Sequence, residues 1–215
     1  MPSPHFVPSG SQGEMPAFLA NATADAAEVD RAIALAERAL AEGRVRAVYQ
    51  PVVDARHGCR VGFHEALMRI ATPTGGFLSP AQFLPALAGT DLAADLDLAV
   101  LDQALTMLAE NPTARISVNV AAASVRTPAW MDRLIAAAGA RPDVPFRLIV
   151  EIAEDNETLN GSDWAGFLAS VAQLGVTTAI DDFGAGATGF EQLRQHRFDV
   201  LKIDGSYGDG LARCP

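Results

Sequence analysis

"TAIDDFGAG" (178–186) joins a short apolar run to two adjacent carboxylates, Asp181 and Asp182, and then to a glycine-rich turn. The small, β-branched and apolar residues of its first half are typical of a strand that is buried on both faces of a parallel sheet. Two like charges at the end of such a strand are unfavourable unless other groups at that place balance them. The stretch therefore predicts a parallel α/β fold in which polar side chains gather where the strands end.

The rest of the chain alternates between strand-like and helix-like segments. Strands are predicted at 45–53, 59–69, 115–121, 146–152, 176–182 and 199–204. Helices are predicted at 25–42, 79–88, 91–110, 127–140, 162–175 and 189–196. A turn at His57 and Gly58 separates the first two strands. From the third strand onward strands and helices alternate strictly, which predicts a parallel sheet covered by helices.

Polar side chains lie at or near the ends of five successive predicted strands. They are Glu65, Arg69, Asn119, Glu151, Asp181, Asp182, Lys202 and Asp204. In a (β/α) barrel the carboxyl ends of the strands form one rim, and that rim holds the functional side chains. We therefore predict a TIM-like (β/α) barrel in which these residues meet although they are far apart in the sequence.

The expected rim brings together several carboxylates and one amide oxygen, with no cysteine among them. Such a cluster repels itself at low dielectric, and a hard divalent cation would remove the repulsion. Oxygen ligands favour Mg²⁺, Mn²⁺ or Ca²⁺ over zinc. Asp181 and Asp182 could serve two ions about 3.5–4 Å apart, an arrangement suited to phosphoester hydrolysis. Lys202 and Arg69 would then stabilise charge on a phosphate.

Each of these residues also has an ordinary structural explanation. A single Asp or Glu at a strand end is more often a solvated loop residue or a helix cap, Asn119 alone would be a turn residue, and Lys202 alone a surface charge. Only the recurrence on five successive strands favours a common site. His64 precedes Glu65 on the same strand, so it should point to the opposite face and serve a structural role.

Composition narrows the classes of function. The chain has 215 residues, is 49% hydrophobic and carries a formal net charge of −10, with no Lys or Arg cluster, so no binding to nucleic acid polymers is expected. No apolar run reaches the ~18 residues that span a bilayer, and the first residues do not resemble a signal peptide, so a cytoplasmic location is expected.

Residues 1–25, rich in Pro, Ser and Gly, should form a flexible leader. Cys59 and Cys214 lack metal-ligand spacing and should be reduced thiols.

Six short motifs resemble those of the EAL domain family, the cyclic di-GMP phosphodiesterases. They are "VYQPVVD" (48–54), "HEALMR" (64–69), "SVNVA" (117–121), "VEIAE" (150–154), "IDDFGAG" (180–186) and "LKID" (201–204). They occur in the family's order and at family-like spacings. The resemblance implies that residues 26–215 form an EAL-like domain, and that its reaction is hydrolysis of cyclic di-GMP to pGpG.

The resemblance also implies roles for individual residues. The metal ligands, for Mg²⁺ or Mn²⁺, would be Glu65, Asn119, Glu151, Asp181 and Asp182. The catalytic residues would be Lys202, which helps position the attacking water, Asp182, and Glu154, which braces the loop after "DDFG". The substrate contacts would be Gln50, Arg69 and Asp204. In such domains Ca²⁺ usually permits binding without turnover and is therefore expected to inhibit.

The sequence leaves the catalytic state open. The family's last two strands have no counterpart in it, which predicts an incomplete barrel of about six strands whose activity is weak or lost. The alternative is a non-catalytic cyclic di-GMP receptor or a protein-interaction module. A homodimer or a partner protein is expected, and the sequence leaves open whether another chain completes the barrel. A different metal-dependent barrel hydrolase with the same arrangement of rim residues is a third alternative, and it would have no affinity for cyclic di-GMP.

Overall fold

The computed structural model describes residues 26–54, 56, 60–154, 162–185, 193 and 196–208. Its strands are β1 (Val45–Asp54), β2 (Arg60–Ala71), β3 (Phe77–Leu78), β4 (Ile116–Asn119), β5 (Leu148–Ala153), β6 (Thr177–Phe183) and β7 (Val200–Ile203). Its α-helices are α1 (Ala26–Ala41), α2 (Leu84–Leu87), α3 (Asp91–Glu110), α4 (Ala122–Arg126), α5 (Pro128–Ala140) and α6 (Ser162–Gln173). Short 3₁₀ helices cover Pro80–Gln82, Pro145–Arg147 and Gly205–Gly208.

Several expectations fall on residues outside this description. They are the leader at 1–25, the turn at His57 and Gly58, both cysteines, and most of the helix expected at 189–196.

The strands form one mostly parallel sheet in the order β1-β2-β4-β5-β6-β7, with β3 paired to β2. β1 and β2 are antiparallel, and the pairs from β2 to β7 are parallel. The predicted α/β class with a parallel sheet is therefore confirmed. All six predicted strands are present within a few residues of their expected bounds.

The structure differs from the predictions at several short elements, among them the helix α4, which was not predicted. β3, with two residues, is too short to show any alternation in the sequence. The helix expected at 79–88 is divided into a 3₁₀ turn and α2, because Pro85 has no N–H to continue an existing helix and lies instead in the first turn of a new one. The chain before β5 forms the 3₁₀ turn Pro145–Arg147, so that strand begins two residues later than predicted.

The core lies between the sheet and the helices α3, α5 and α6. β4 and β5 are buried along almost their whole length, as expected for central parallel strands. Trp130 of α5 and Trp164 of α6 both pack against Phe167, with ring centroids 5.3 and 5.8 Å apart. Each fully buried large apolar side chain stabilises the fold by about 1.5–3 kcal/mol, so this layer holds the strand ends in fixed positions.

A side chain of α3 binds the backbone of the first strand. Gln103 Oε1 accepts a hydrogen bond from Ala47 N at 3.0 Å, and its Nε2 donates to Val45 O at 3.2 Å. Pairing with β2 does not satisfy these two backbone groups of β1, and Gln103 bonds to them in the way that a second neighbouring strand would. None of the described helices is long and apolar enough to cross a membrane.

Candidate active site

Strand register brings the predicted rim residues to one face of the sheet. Glu65 lies opposite Ser117, Asn119 opposite Glu151, and Asp181 opposite Ala153. Residues in register on parallel strands project to the same side, and so do residues two apart on one strand. The pairing of Ile180 with Leu201 then sets Lys202 beside Asp181 on the next strand.

Three carboxylates converge on this face. Glu65, Glu151 and Asp181 each offer an oxygen atom within 4.8 Å of the other two. Glu151 is fully buried, and the side chains of Glu65 and Asp181 are only 18% and 17% exposed. Three negative charges this close in a partly desolvated site require a positive charge to balance them.

Lys202 supplies positive charge to this cluster. Its Nζ lies 2.5 Å from Glu151 Oε2, 2.9 Å from Asp181 Oδ2 and 3.3 Å from Glu65 Oε2. Burial alone would lower the pKa of Lys202, but hydrogen bonds and charge from Glu151 and Asp181 outweigh it, so the pKa is raised and the ammonium stays charged. Lys202 is also the only lysine among the 215 residues.

The cluster has more acceptor oxygens than donors. Burial raises the pKa of Glu151, and Lys202 only partly opposes that effect. Within the described residues Glu151 Oε1 is buried with no hydrogen-bond donor in good geometry, and the Ser117 hydroxyl, like Lys202, only partly opposes the rise in the pKa of Glu151. Asn119 Nδ2 reaches Glu65 Oε1 at 3.5 Å, which leaves the amide oxygen of Asn119 available as a ligand. Buried oxygen atoms without donors fit a hard cation, so Glu65, Asn119, Glu151 and Asp181 could hold one.

Asp182 departs from the geometry of its neighbours. Its φ of 52° is the one positive value of a non-glycine residue in the described part of the chain. Its N–H donates to Asp181 Oδ1 at 3.0 Å, and the residue is exposed. Partial desolvation, followed by the negative charges of Asp181 and Asp204, raises the pKa of Asp182. The left-handed backbone turns Asp182 away from the strand alternation, so the two adjacent carboxylates can face the same rim.

The predicted substrate contacts lie on the outer strands. Gln50 pairs with Glu65 across β1 and β2, and Arg69 is four residues beyond Glu65 on the same face. Arg69 Nη1 donates to Met68 O at 2.7 Å. Asp204, at the end of β7, accepts hydrogen bonds from the backbone N–H and hydroxyl of Ser206, which lower its pKa.

Glu154 lies at the other side of the segment that follows β6. It is almost fully buried, and its Oε2 accepts a hydrogen bond from Gly184 N at 2.6 Å. The carboxylate therefore fixes the first glycine after the adjacent aspartates.

His64, by contrast, lines a crevice of about 350 Å³ together with Tyr49 and Arg115. It lies on the strand next to Glu65 and so faces away from the acidic cluster, in line with the sequence prediction.

Two residues of the site were missed by the sequence analysis. Ser117 lies on the acidic face two residues before Asn119, and the alternation of "SVN" could have revealed it. Tyr207, whose hydroxyl contacts Gly184, gives no sequence signal because that contact depends on how the turn after β7 folds back.

Comparisons with known proteins agree with this architecture. The family model of the EAL domain matches residues 34–215. Cyclic di-GMP phosphodiesterase PdeF of Escherichia coli K12 is 30% identical over 178 residues, which are 80% of this chain and 23% of that protein. The chain thus spans about a quarter of that curated relative's length.

Solved structures share the fold. The FimX EAL domain of Pseudomonas aeruginosa bound to c-di-GMP superposes with a TM-score of 0.69 at 28% identity, over 84% of this chain and 74% of that one. The PaMucR phosphodiesterase in its c-di-GMP complex gives a TM-score of 0.71 at 28% identity, over 86% of this chain and 76% of that one. The expected TIM-like fold is therefore confirmed.

Proposed function

Because the chain belongs to the EAL domain family, we propose that it is a metal-dependent phosphodiesterase that opens one phosphodiester bond of cyclic di-GMP and yields pGpG. The observation that carries the proposal is the convergence of Glu65, Glu151 and Asp181 within 4.8 Å, with Lys202 bound to all three. Relatives named as cyclic di-GMP phosphodiesterases supply the substrate class.

Glu65, Asn119, Glu151 and Asp181 would hold Mg²⁺ or Mn²⁺, and Asp182 would help to hold a second ion. Their donors are all oxygen atoms, which suits hard divalent cations, and the raised pKa of Glu151 makes binding weaker in acid. When bound, the cation supplies charge that activates water and stabilises the leaving oxygen. Ca²⁺, which is larger and accepts looser geometry, is proposed to permit binding and to inhibit turnover.

The remaining residues act on the water and on the dinucleotide. Lys202 keeps its proton and has three N–H donors, which contact the three carboxylates; one of them, once released from its carboxylate, would orient the attacking water. Arg69 would bind phosphate oxygens through its planar guanidinium. Gln50 and Asp204 would make the other polar contacts with the substrate, and Glu154 would hold the segment at Gly184 in the position that the reaction requires.

A second candidate function is binding of cyclic di-GMP without hydrolysis, as a receptor or as a protein-interaction module in a homodimer or with a partner protein. Lys202 already contacts the three carboxylates, so its ammonium partly neutralises the cluster without any metal ion. This contact favours the second function, because the acidic face that would bind cyclic di-GMP keeps its arrangement even if no substrate is hydrolysed.

The two functions are separated by incubating the purified chain with cyclic di-GMP and Mg²⁺ or Mn²⁺ and measuring pGpG by chromatography. Calorimetry in Ca²⁺ then measures binding alone. Glu65→Gln and Asp181→Asn should lose at least about a hundredfold in turnover, because each removes a ligand charge. Asp132→Asn, on the exposed face of α5, is the matched control and should leave turnover unchanged.

Formation of pGpG that is lost in both Glu65→Gln and Asp181→Asn supports the hydrolase. Binding without product supports the receptor. A chain that neither binds nor hydrolyses cyclic di-GMP would overturn both functions.

A further inference from the structure

The segment that follows β6 is held at Gly184 from two opposite sides. Gly184 N donates to Glu154 Oε2 at 2.6 Å, and the Tyr207 hydroxyl donates to Gly184 O at 2.9 Å. Glu154 follows β5, whereas Tyr207 lies in the 3₁₀ turn that follows β7. The two peptide groups on either side of the Gly184 Cα are therefore each held by a side chain, one that follows β5 and one that follows β7, the strands that flank β6.

The tyrosine ring lies directly against Gly184. A Cβ atom at this position would lie 2.8 Å from Cε2 of Tyr207 and 3.2 Å from its Cζ and hydroxyl oxygen. Gly184 also has φ of +96°, which side chains rarely adopt. Tyr207 is 61% exposed, so burial in the core does not explain its position. The backbone of Tyr207 is held by the turn, where its N–H donates to Asp204 O at 3.1 Å, and its side chain is held by the hydrogen bond and the ring contact with Gly184.

The clamped glycine immediately follows the residues of the acidic rim. Asp182 has a positive φ, which is strained for a non-glycine residue and persists only if the surroundings enforce it. Ala185 N donates to Asp182 O at 3.1 Å, and Asp204 N donates to Phe183 O at 3.2 Å. The backbone from Asp182 to Ala185 is thus tied to the end of β7.

We propose that Tyr207 is a positioning residue: its hydroxyl and ring hold Gly184 and thereby fix Asp181 and Asp182 at the candidate metal centre. Tyr207 acts through the backbone of the segment. The expected effect of Tyr207 on turnover rests on the proposed function. Its consequence for the segment itself does not depend on which reaction the domain performs.

Tyr207→Phe tests the hydroxyl, since it keeps the ring against Gly184. Loss of one hydrogen bond corresponds to about a three- to tenfold effect. We expect the amides of Gly184 and Ala185 to exchange hydrogen three- to tenfold faster, Mn²⁺ to bind three- to tenfold more weakly by calorimetry, and kcat to fall in proportion, with less than a twofold change in KM. Tyr49→Phe is the matched control, because Tyr49 is the only other tyrosine and lies away from the acidic face.

A double-mutant cycle tests the ring. Gly184→Ala should weaken Mn²⁺ binding in the wild-type background, where the new methyl group meets the ring of Tyr207. In a Tyr207→Ala background the added loss should be smaller, because that contact is gone. Effects that are additive within twofold would overturn the role of the ring.

Unchanged exchange at Gly184 in Tyr207→Phe would overturn the role of the hydroxyl. A wild-type chain without cyclic di-GMP hydrolysis would overturn the proposed function alone, because exchange at Gly184 still reports on Tyr207. Faster exchange and weaker Mn²⁺ binding in Tyr207→Phe, with Tyr49→Phe unchanged, support the inference.

Discussion

Replacing Lys202 by methionine should make the stability of the chain depend on divalent cations. In the absence of metal the ammonium of Lys202 is the cation that contacts Glu65, Glu151 and Asp181. Methionine has a similar length and no charge, so the substitution leaves the three carboxylates in place and removes their shared partner.

The size of the effect follows from the three contacts. At N–O distances of 2.5, 2.9 and 3.3 Å each attraction is worth about 5–7 kcal/mol at an effective dielectric constant near 20, before desolvation is subtracted. Desolvation offsets most of this, and breaking a buried ion pair from one side costs about 3–5 kcal/mol. Because the Lys202 side chain is 22% exposed, we expect about 3 kcal/mol at pH 7.

Urea unfolding, followed by circular dichroism, measures this change. With a chelator present the variant should lose about 3 kcal/mol, whereas saturating Mg²⁺ should restore more stability to it than to the wild type. Lys202→Arg is the control that retains the charge. The loss should shrink as the pH falls, because burial raises the pKa of Glu151 and an unpaired Glu151 then takes up a proton.

Two results would refute the reasoning. The first is a Lys202→Met variant as stable as the wild type in chelator. The second is an equal gain from Mg²⁺ in both proteins, since the lysine and the cation would then not balance the same carboxylates.

Three further predictions concern groups around the site. Burial raises the pKa of Asp97 to about 6, so its stabilising contribution is complete below about pH 4 and is lost by roughly 3 kcal/mol as the pH rises through 6; unfolding curves of Asp97→Asn should lack this pH dependence. Gln103→Leu leaves Ala47 N without its side-chain acceptor and removes one of the two side-chain donors to Val45 O, so it should cost about 1–3 kcal/mol in urea unfolding, whereas the exposed Gln173→Leu should cost less than about 0.5 kcal/mol. Glu154→Gln keeps an acceptor for the Gly184 N–H and should retain most turnover, but Glu154→Leu should lower kcat at least about tenfold; equal rates in both variants would contradict the bracing role.

The sequence predicted the parts of the molecule that depend on periodicity. In the described part of the chain the strands β4 to β6 alternate with helices, so their parallel order and shared rim followed from general rules of α/β folds. Glu151 and Asp181 lie near the carboxyl ends of β5 and β6, and Glu65 lies on β2 in register with Ser117 of β4, so their convergence was predictable before any distance was known. Periodicity was sufficient to predict that these residues meet, because residues in register on neighbouring parallel strands lie side by side on the same face of the sheet.

Other parts depend on contacts that no local pattern encodes. The positive φ of Asp182 is enforced by the segment around Gly184, and the position of Gly184 depends on Glu154 and Tyr207 from two other strands. The register of β6 and β7 shifts between Ile180 and Phe183, so alternation fails at the rim itself. These features arise from tertiary packing, which outweighs local propensity.

The presence of a single lysine at the centre of the acidic cluster makes the chain its own reporter. Biosynthetic incorporation of lysine labelled with ¹⁵N at Nζ would place one side-chain signal, that of Lys202, directly beside Glu151 and Asp181. The chemical shift of that signal would follow ion occupancy, nucleotide arrival and protonation in solution, without any mutation that disturbs the site.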